Sequence, residues 1–213
     1  MIAVFSPSSV KKNIELYLVF SATAVFFIAQ QIVAPFEIIY LNNYLGISKT
    51  VTGIITALVA PVLILFAIPI GRFSDRGYGF ILLFIGFIIS AAGQFLFSTT
   101  GNLVLLTVFG ICKNIGFLMM IVLGAWARNL MPVESRGQFQ GVRLIFMVML
   151  PMIIGPTIGS FLIENFGIPT TVNGETGFIP VPLIYRISSA VILVSLVPVT
   201  ILKLRHRNTR RLT

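Results

Sequence analysis

The sequence predicts an all-α integral membrane protein of six transmembrane helices. Three observations predict it: the apolar content, the length of the apolar runs, and the placement of the cations between them. Apolar residues make up 57% of the 213-residue chain against 10% charged residues, and the mean hydropathy is +1.02. A soluble fold of that composition lacks the polar residues to cover its surface, whereas a bilayer asks for none. The apolar runs fall at residues 16–45, 51–70, 80–97, 103–127, 139–163 and 183–202. Each is near the roughly 20 residues that cross about 30 Å of hydrocarbon. The runs are apolar on all sides, whereas strands of a membrane barrel alternate apolar and polar residues over about 10 positions. The chain therefore reads as a single transmembrane domain, residues 1–213, ending in a basic tail at 203–213.

In chain order, span one follows a leader containing Lys11 and Lys12. It is too long for a secretory signal and no small-residue cleavage site follows it, so it is read as a retained helix. Span two carries Pro61 and Pro69 and runs into a glycine-rich turn at 71–79 that leads to span three. Span four holds Cys112, the one cysteine, so no intrachain disulfide forms. Lys113 and Asn114 of the same span lie near mid-membrane depth, counting about 1.5 Å of rise per residue. Span five contains Pro151, Gly155, Pro156 and Gly159. Gly155 and Gly159, four apart, permit close contact between helices, and the prolines remove backbone donors. Span six is followed by Lys203, Arg205, Arg207, Arg210 and Arg211. These serve as a topology anchor, each cation near an anionic lipid surface contributing about 1 kcal/mol.

A net charge of +9 and a pI of about 10.3 suggest nucleic acid in a soluble protein, but here the cations belong to the membrane. Lys11, Lys12, Arg72, Arg76, Arg128, Arg136 and the tail all fall on one side of the six spans. The alternate loops hold Lys49 and otherwise only Glu164 and Glu175. The positive-inside rule then places both termini and the second and fourth loops in the cytoplasm of a multi-pass protein of the cell membrane. His206, the single histidine, stands in the tail. No embedded serine and histidine pair for intramembrane proteolysis is available. Asp75 is the one aspartate, which excludes the aspartate cluster of a phosphatidyl-alcohol transferase. No metal-ligating cluster and no catalytic constellation is present, so an enzyme is not expected.

The turn Gly71-Arg72-Phe73-Ser74-Asp75-Arg76-Gly77-Tyr78-Gly79 concentrates an acid and two bases between two spans. It resembles the signature loop between helices two and three of major facilitator superfamily transporters, in which Gly, three residues, Asp and a base precede a glycine and further bases. Gly71, Asp75 and Arg76 match. Glycine stands at 77 and 79 rather than 78, and Gly79 and Phe80 replace the trailing basic pair. The following loop, Pro132-Val133-Glu134-Ser135-Arg136-Gly137 with Gly141 beyond it, resembles the corresponding loop of the same superfamily. The run Gly155-Pro156-Thr157-Ile158-Gly159 is similar to the Gly-Pro motif of helix five in antiporter members, with Ser160 in place of a usual glycine.

The resemblance implies one six-helix half of a twelve-helix carrier, built as a 3+3 inverted repeat, with the C-terminal half favoured by the degenerate signature loop. It implies alternating-access transport of a small solute. The second half would be a separate chain, a missing part of the same protein, or a second copy. No cofactor is implied beyond a coupling proton or sodium ion, and the partners are the bilayer and the solute, not nucleic acid. An ion pair of Asp75 with Arg143 or Arg136 is expected as a cytoplasmic latch that breaks when helices move. Spans one and four are expected to line the solute path. Polar groups inside the hydrocarbon mark such a path, and the candidates are Gln30, Gln31, Glu37, Tyr40, Lys113, Asn114 and Arg186. Lys113 is the costliest, about 2.5 to 3.5 kcal/mol at a helix centre, and is expected to face a cavity or a carboxylate. Glu37 is expected either to titrate as a coupling group or to pair with Arg186. An oligomeric channel and a non-transporting scaffold are the competing readings.

Overall fold

The computed structural model describes residues 6–172 and 175–209. Arg210 and Arg211 of the basic tail, with the side chains of His206 and Arg207, lie outside the described residues. Among the described residues, five helical stretches are long and apolar enough to cross a membrane: Ile14–Tyr44, Lys49–Phe97, Leu103–Leu130, Val133–Phe166 and Leu183–Arg205. Large apolar side chains point outward from them, Leu65 at 74% exposed and Val104 at 71%, an arrangement suited to lipid rather than water.

A short α1 (Pro7–Lys12) begins where the Ser6 hydroxyl accepts the Ser9 amide at 3.3 Å, and α2 (Ile14–Val33) follows. Pro35 has no N–H to continue the helical ladder. The chain there tightens into a 3-10 turn over Ala34–Phe36, re-forms one α turn as α3 (Glu37–Ile39), and loosens into a π turn over Tyr40–Tyr44.

The stretch Lys49–Phe97 is 49 residues long, and such a helix would measure roughly 74 Å if straight. It consists of α4 (Lys49–Phe73) and α5 (Gly79–Phe97). The tight turn expected between them falls at Ser74–Tyr78, where Gly77 stands at φ 90° and breaks the helix. That left-handed angle is what a glycine permits and other residues resist.

Along α5, Gly79, Gly86 and Gly93 recur every seventh residue and face α6 (Leu103–Leu130), against the Trp126 ring, the Met119 thioether and the backbone of Cys112 and Lys113 respectively. Three bare positions on one face bring the two antiparallel backbones close together. The turn between them closes where Asn102 Oδ1 accepts the amides of Val104 at 2.9 Å and Leu105 at 3.3 Å.

After a 3-10 turn at Val133–Ser135, α7 (Arg136–Leu144), a π turn at Ile145–Met149 and α8 (Leu150–Phe166) complete the next stretch. The segment expected as plain loop forms a β-hairpin, correcting the all-α expectation. Strands β1 (Ile168–Val172) and β2 (Glu175–Ile179) pair antiparallel with Ile168 opposite Ile179 and Val172 opposite Glu175. Asn173-Gly174 separates two strand-forming runs in the sequence, a hairpin signal the apolar count had hidden; the dipeptide lies outside the described residues. The last stretch is α9 (Leu183–Val194) and α10 (Leu196–Thr209), broken at Ser195, three residues before Pro198.

Candidate functional site

Between α2, α4 and α6 lies an open cavity of about 1120 Å³. Its wall contains Gln30, Gln31, Glu37, Lys113 and Asn114, so these five candidates come together on one surface. Lys113 is placed by α6, whose backbone meets bare Gly93 on α5. The Ser90 hydroxyl of α5 donates to the Lys113 carbonyl at 2.5 Å, fixing the residue from behind. Its ammonium donates to Glu37 Oε1 at 2.6 Å. The same nitrogen stands 4.6 Å from the Phe97 ring centre and 5.8 Å from that of Tyr185, and two negative ring faces favour a cation between them.

The two partners differ in access. The Lys113 side chain is 6% exposed and that of Glu37 is 27% exposed. Glu37 opens the short α3 between a 3-10 and a π turn, so the carboxylate rides on a less regular support than the lysine. A buried ion pair adds little net stability over apolar residues of similar volume. Stability alone does not account for a charged pair at this depth, and an intramembrane ionisable pair marks a functional surface.

Asn114 donates to the Gly110 carbonyl at 2.7 Å within its own helix, which leaves its amide oxygen for the cavity. Gln30 lines the wall as well, and its Nε2 is buried without a hydrogen-bond partner. Four further polar residues line the wall: Asn42, Lys49, Thr52 and Thr56. Thr52 donates to Asn42 Oδ1 at 2.8 Å, joining α4 to the π turn at the end of span one. Its signal was weak, since a threonine in an apolar helix commonly bonds its own backbone, as Thr56 does to the Thr52 carbonyl.

Two candidates fall elsewhere. Tyr40 is buried between Tyr44 and Tyr185, with ring centres 5.1 Å and 4.6 Å away. Arg186 is exposed and sits 6.0 Å from the Phe95 ring centre. The expected Glu37 to Arg186 pairing is replaced by Glu37 to Lys113. The reason is rotational, because α9 turns Tyr185 and Ser188 inward and carries Arg186 to the outside. Ser188 there accepts from Gln94 Nε2 at 3.1 Å and donates to the Ala29 carbonyl at 2.6 Å, tying α9 to α5 and α2.

At the end of the bundle that carries the basic loops, no salt bridge joins Asp75 to Arg136 or Arg143; among the described residues, the ion pair of Glu37 with Lys113 takes the place of interest instead. Asp75 and Arg136 are exposed, and Arg76 lies 6.0 Å from the Phe73 ring centre. Arg143 turns inward beside α6, where the bare face of Gly124 leaves room 3.6 Å from the guanidinium. Gly71 has open space around it. On α8, a Cβ at Gly155 would meet Gln31 and one at Gly159 would stand 2.5 Å from the Ile32 carbonyl, so the turn that includes Pro156 lies directly on α2.

A family model described as Major Facilitator Superfamily matches residues 19–213. No curated protein matches the chain, and no solved structure does.

Proposed function

The chain belongs to the major facilitator superfamily, a family of membrane transporters, and from that premise we propose that it acts as one six-helix half of a secondary carrier. The carrying observation is the cavity of about 1120 Å³ with the Lys113 and Glu37 pair in its wall. In this reading the 49-residue stretch crosses the bilayer twice, about Gly77, which makes six crossings arranged as a 3+3 inverted repeat. The basic loops face the cytoplasm of the cell, as do both termini.

The cavity is open, and polar groups facing hydrocarbon are costly. A second six-helix half over that face would shield them and supply the surface against which this half rocks in alternating access. The degenerate loop at 71–79 supports assignment to the C-terminal half. Asp75 with Arg143 or Arg136 is the proposed latch of a state other than the one described, in which the basic ends of α4 and α7 approach.

The test is solute uptake by cells expressing the chain, read over a mixture of small metabolites, with Lys113→Ala and Glu37→Gln alongside. Both substitutions are expected to abolish the gain or loss of the transported solute. Unchanged uptake in both sinks the assignment of the cavity as the solute path.

A further inference from the structure

The charges in the cavity wall do not balance, since Lys49 and Lys113 face a single carboxylate, Glu37. Among them Lys113 is the fixed element, 6% exposed, held through its carbonyl by Ser90 and flanked by Phe97 and Tyr185. Glu37 is the accessible element, 27% exposed, on a three-residue helix between two irregular turns. Gln30 adds a buried amide Nε2 that has no acceptor. A net positive wall, with an unpartnered amide nitrogen buried just behind it, is short of one anion.

We infer that the cavity takes a small organic anion with an apolar body, and that Glu37 occupies the place of that ligand's acid group until it arrives. The ligand's carboxylate replaces Glu37 on the Lys113 ammonium, and the buried Gln30 amide gains an acceptor only if its side chain turns toward the cavity. Its apolar body lies on Phe27, Ile38 and Phe117 of the same wall. Displaced, Glu37 swings into the open cavity with its short helix, so ligand binding and the release of α3 from α6 become one event. Charge-assisted hydrogen bonds are the stronger kind, and an acid therefore outcompetes an alcohol or an amine of the same shape. This inference rests on the reading of the cavity as the solute path.

The experiment is calorimetric titration of the full chain in lipid nanodiscs with three probes of one shape: phenylacetate, 2-phenylethanol and phenethylamine. Phenylacetate is expected to bind at least roughly tenfold tighter than the other two, the worth of one charge-assisted contact. Glu37→Gln removes the internal competitor and is expected to tighten phenylacetate further, again by about tenfold. The doubly neutral Glu37→Gln/Lys113→Gln variant, which leaves no unpaired charge and so keeps the fold testable, is expected to lose the preference for the acid. Equal binding of the three probes, weaker or unchanged phenylacetate binding in Glu37→Gln, or a retained acid preference in the double variant overturns the inference. Binding is read without transport, so a chain that binds phenylacetate in this pattern but moves no solute refutes the carrier reading alone. Uptake confined to cations refutes this inference and leaves the carrier.

Discussion

Gly93→Ala should disturb the ion pair without touching the cavity, by forcing apart the helices that hold Lys113. A Cβ at this position would stand 2.5 Å from the Lys113 backbone nitrogen and 2.7 Å from the Cys112 carbonyl carbon, where ordinary contact begins at 3.4 Å, so the two backbones must part by about 0.9 Å. Both obstacles are main chain and cannot rotate away. A gap of about 0.5–1 Å forfeits a quarter to a half of the dispersion energy of the atoms facing it, and overpacked sites lose about 1–3 kcal/mol. Stretching the Ser90 bond to the Lys113 carbonyl removes part of a further ~1 kcal/mol. Alanine returns roughly 1 kcal/mol over glycine as a helix former. The expected net loss is about 0.5–2.5 kcal/mol, measured as unfolding free energy in bicelles. Gly86→Ala, run in parallel, meets the flexible thioether of Met119 and should cost less than about 1 kcal/mol. If Gly93→Ala is as stable as the parent, or no worse than Gly86→Ala, the close approach of α5 and α6 is not what positions Lys113.

The left-handed turn and the interior hydrogen bonds offer independent checks. Gly77→Ala meets no neighbour within 4 Å, so its whole effect is the φ of 90°; a loss of about 1–2 kcal/mol is expected, and unaltered stability in the same unfolding assay would contradict that backbone angle. Ser188→Ala strands the buried Gln94 amide and frees the Ala29 carbonyl. A cost of about 1–3 kcal/mol follows, while Thr200→Ala, exposed and bonded only within its own helix, should move thermal unfolding in nanodiscs by no more than about 0.5 kcal/mol. Equal effects from the two would mean that Ser188 is not a tie between helices.

Hydropathy made the membrane stretches legible because it reports the solvent each residue prefers, and the polar turn at 71–79 that separates two apolar runs is where the helix breaks, at Gly77. It carries no information on lateral neighbours. Glu37 and Lys113 are 76 residues apart, and their meeting depends on how α2 rotates against α6. Lys113 could be read as needing a carboxylate, yet which one was settled by the inward turn of Tyr185 on α9, which sends Arg186 outward. The glycines at 79, 86 and 93 were written plainly in the sequence, but glycine is frequent in membrane helices and their common face shows only against Met119 and Trp126. The hairpin was hidden differently, since a search for twenty-residue runs passes over two strands of five residues. Thr52 and Thr56 escaped because a threonine in an apolar helix commonly bonds its own backbone, as Thr56 does and Thr52 does not.

The distance along the chain between Glu37 and Lys113 also orders events during synthesis. Synthesis starts at the N-terminus, so the carboxylate of Glu37 is made 76 residues before the ammonium of Lys113. The residue that is costlier to bury therefore follows its counterion along the chain. A lesion at Glu37, such as Glu37→Leu, is then expected to be felt at α6, as a lysine that enters the membrane without its partner, read as a lower yield of inserted chain.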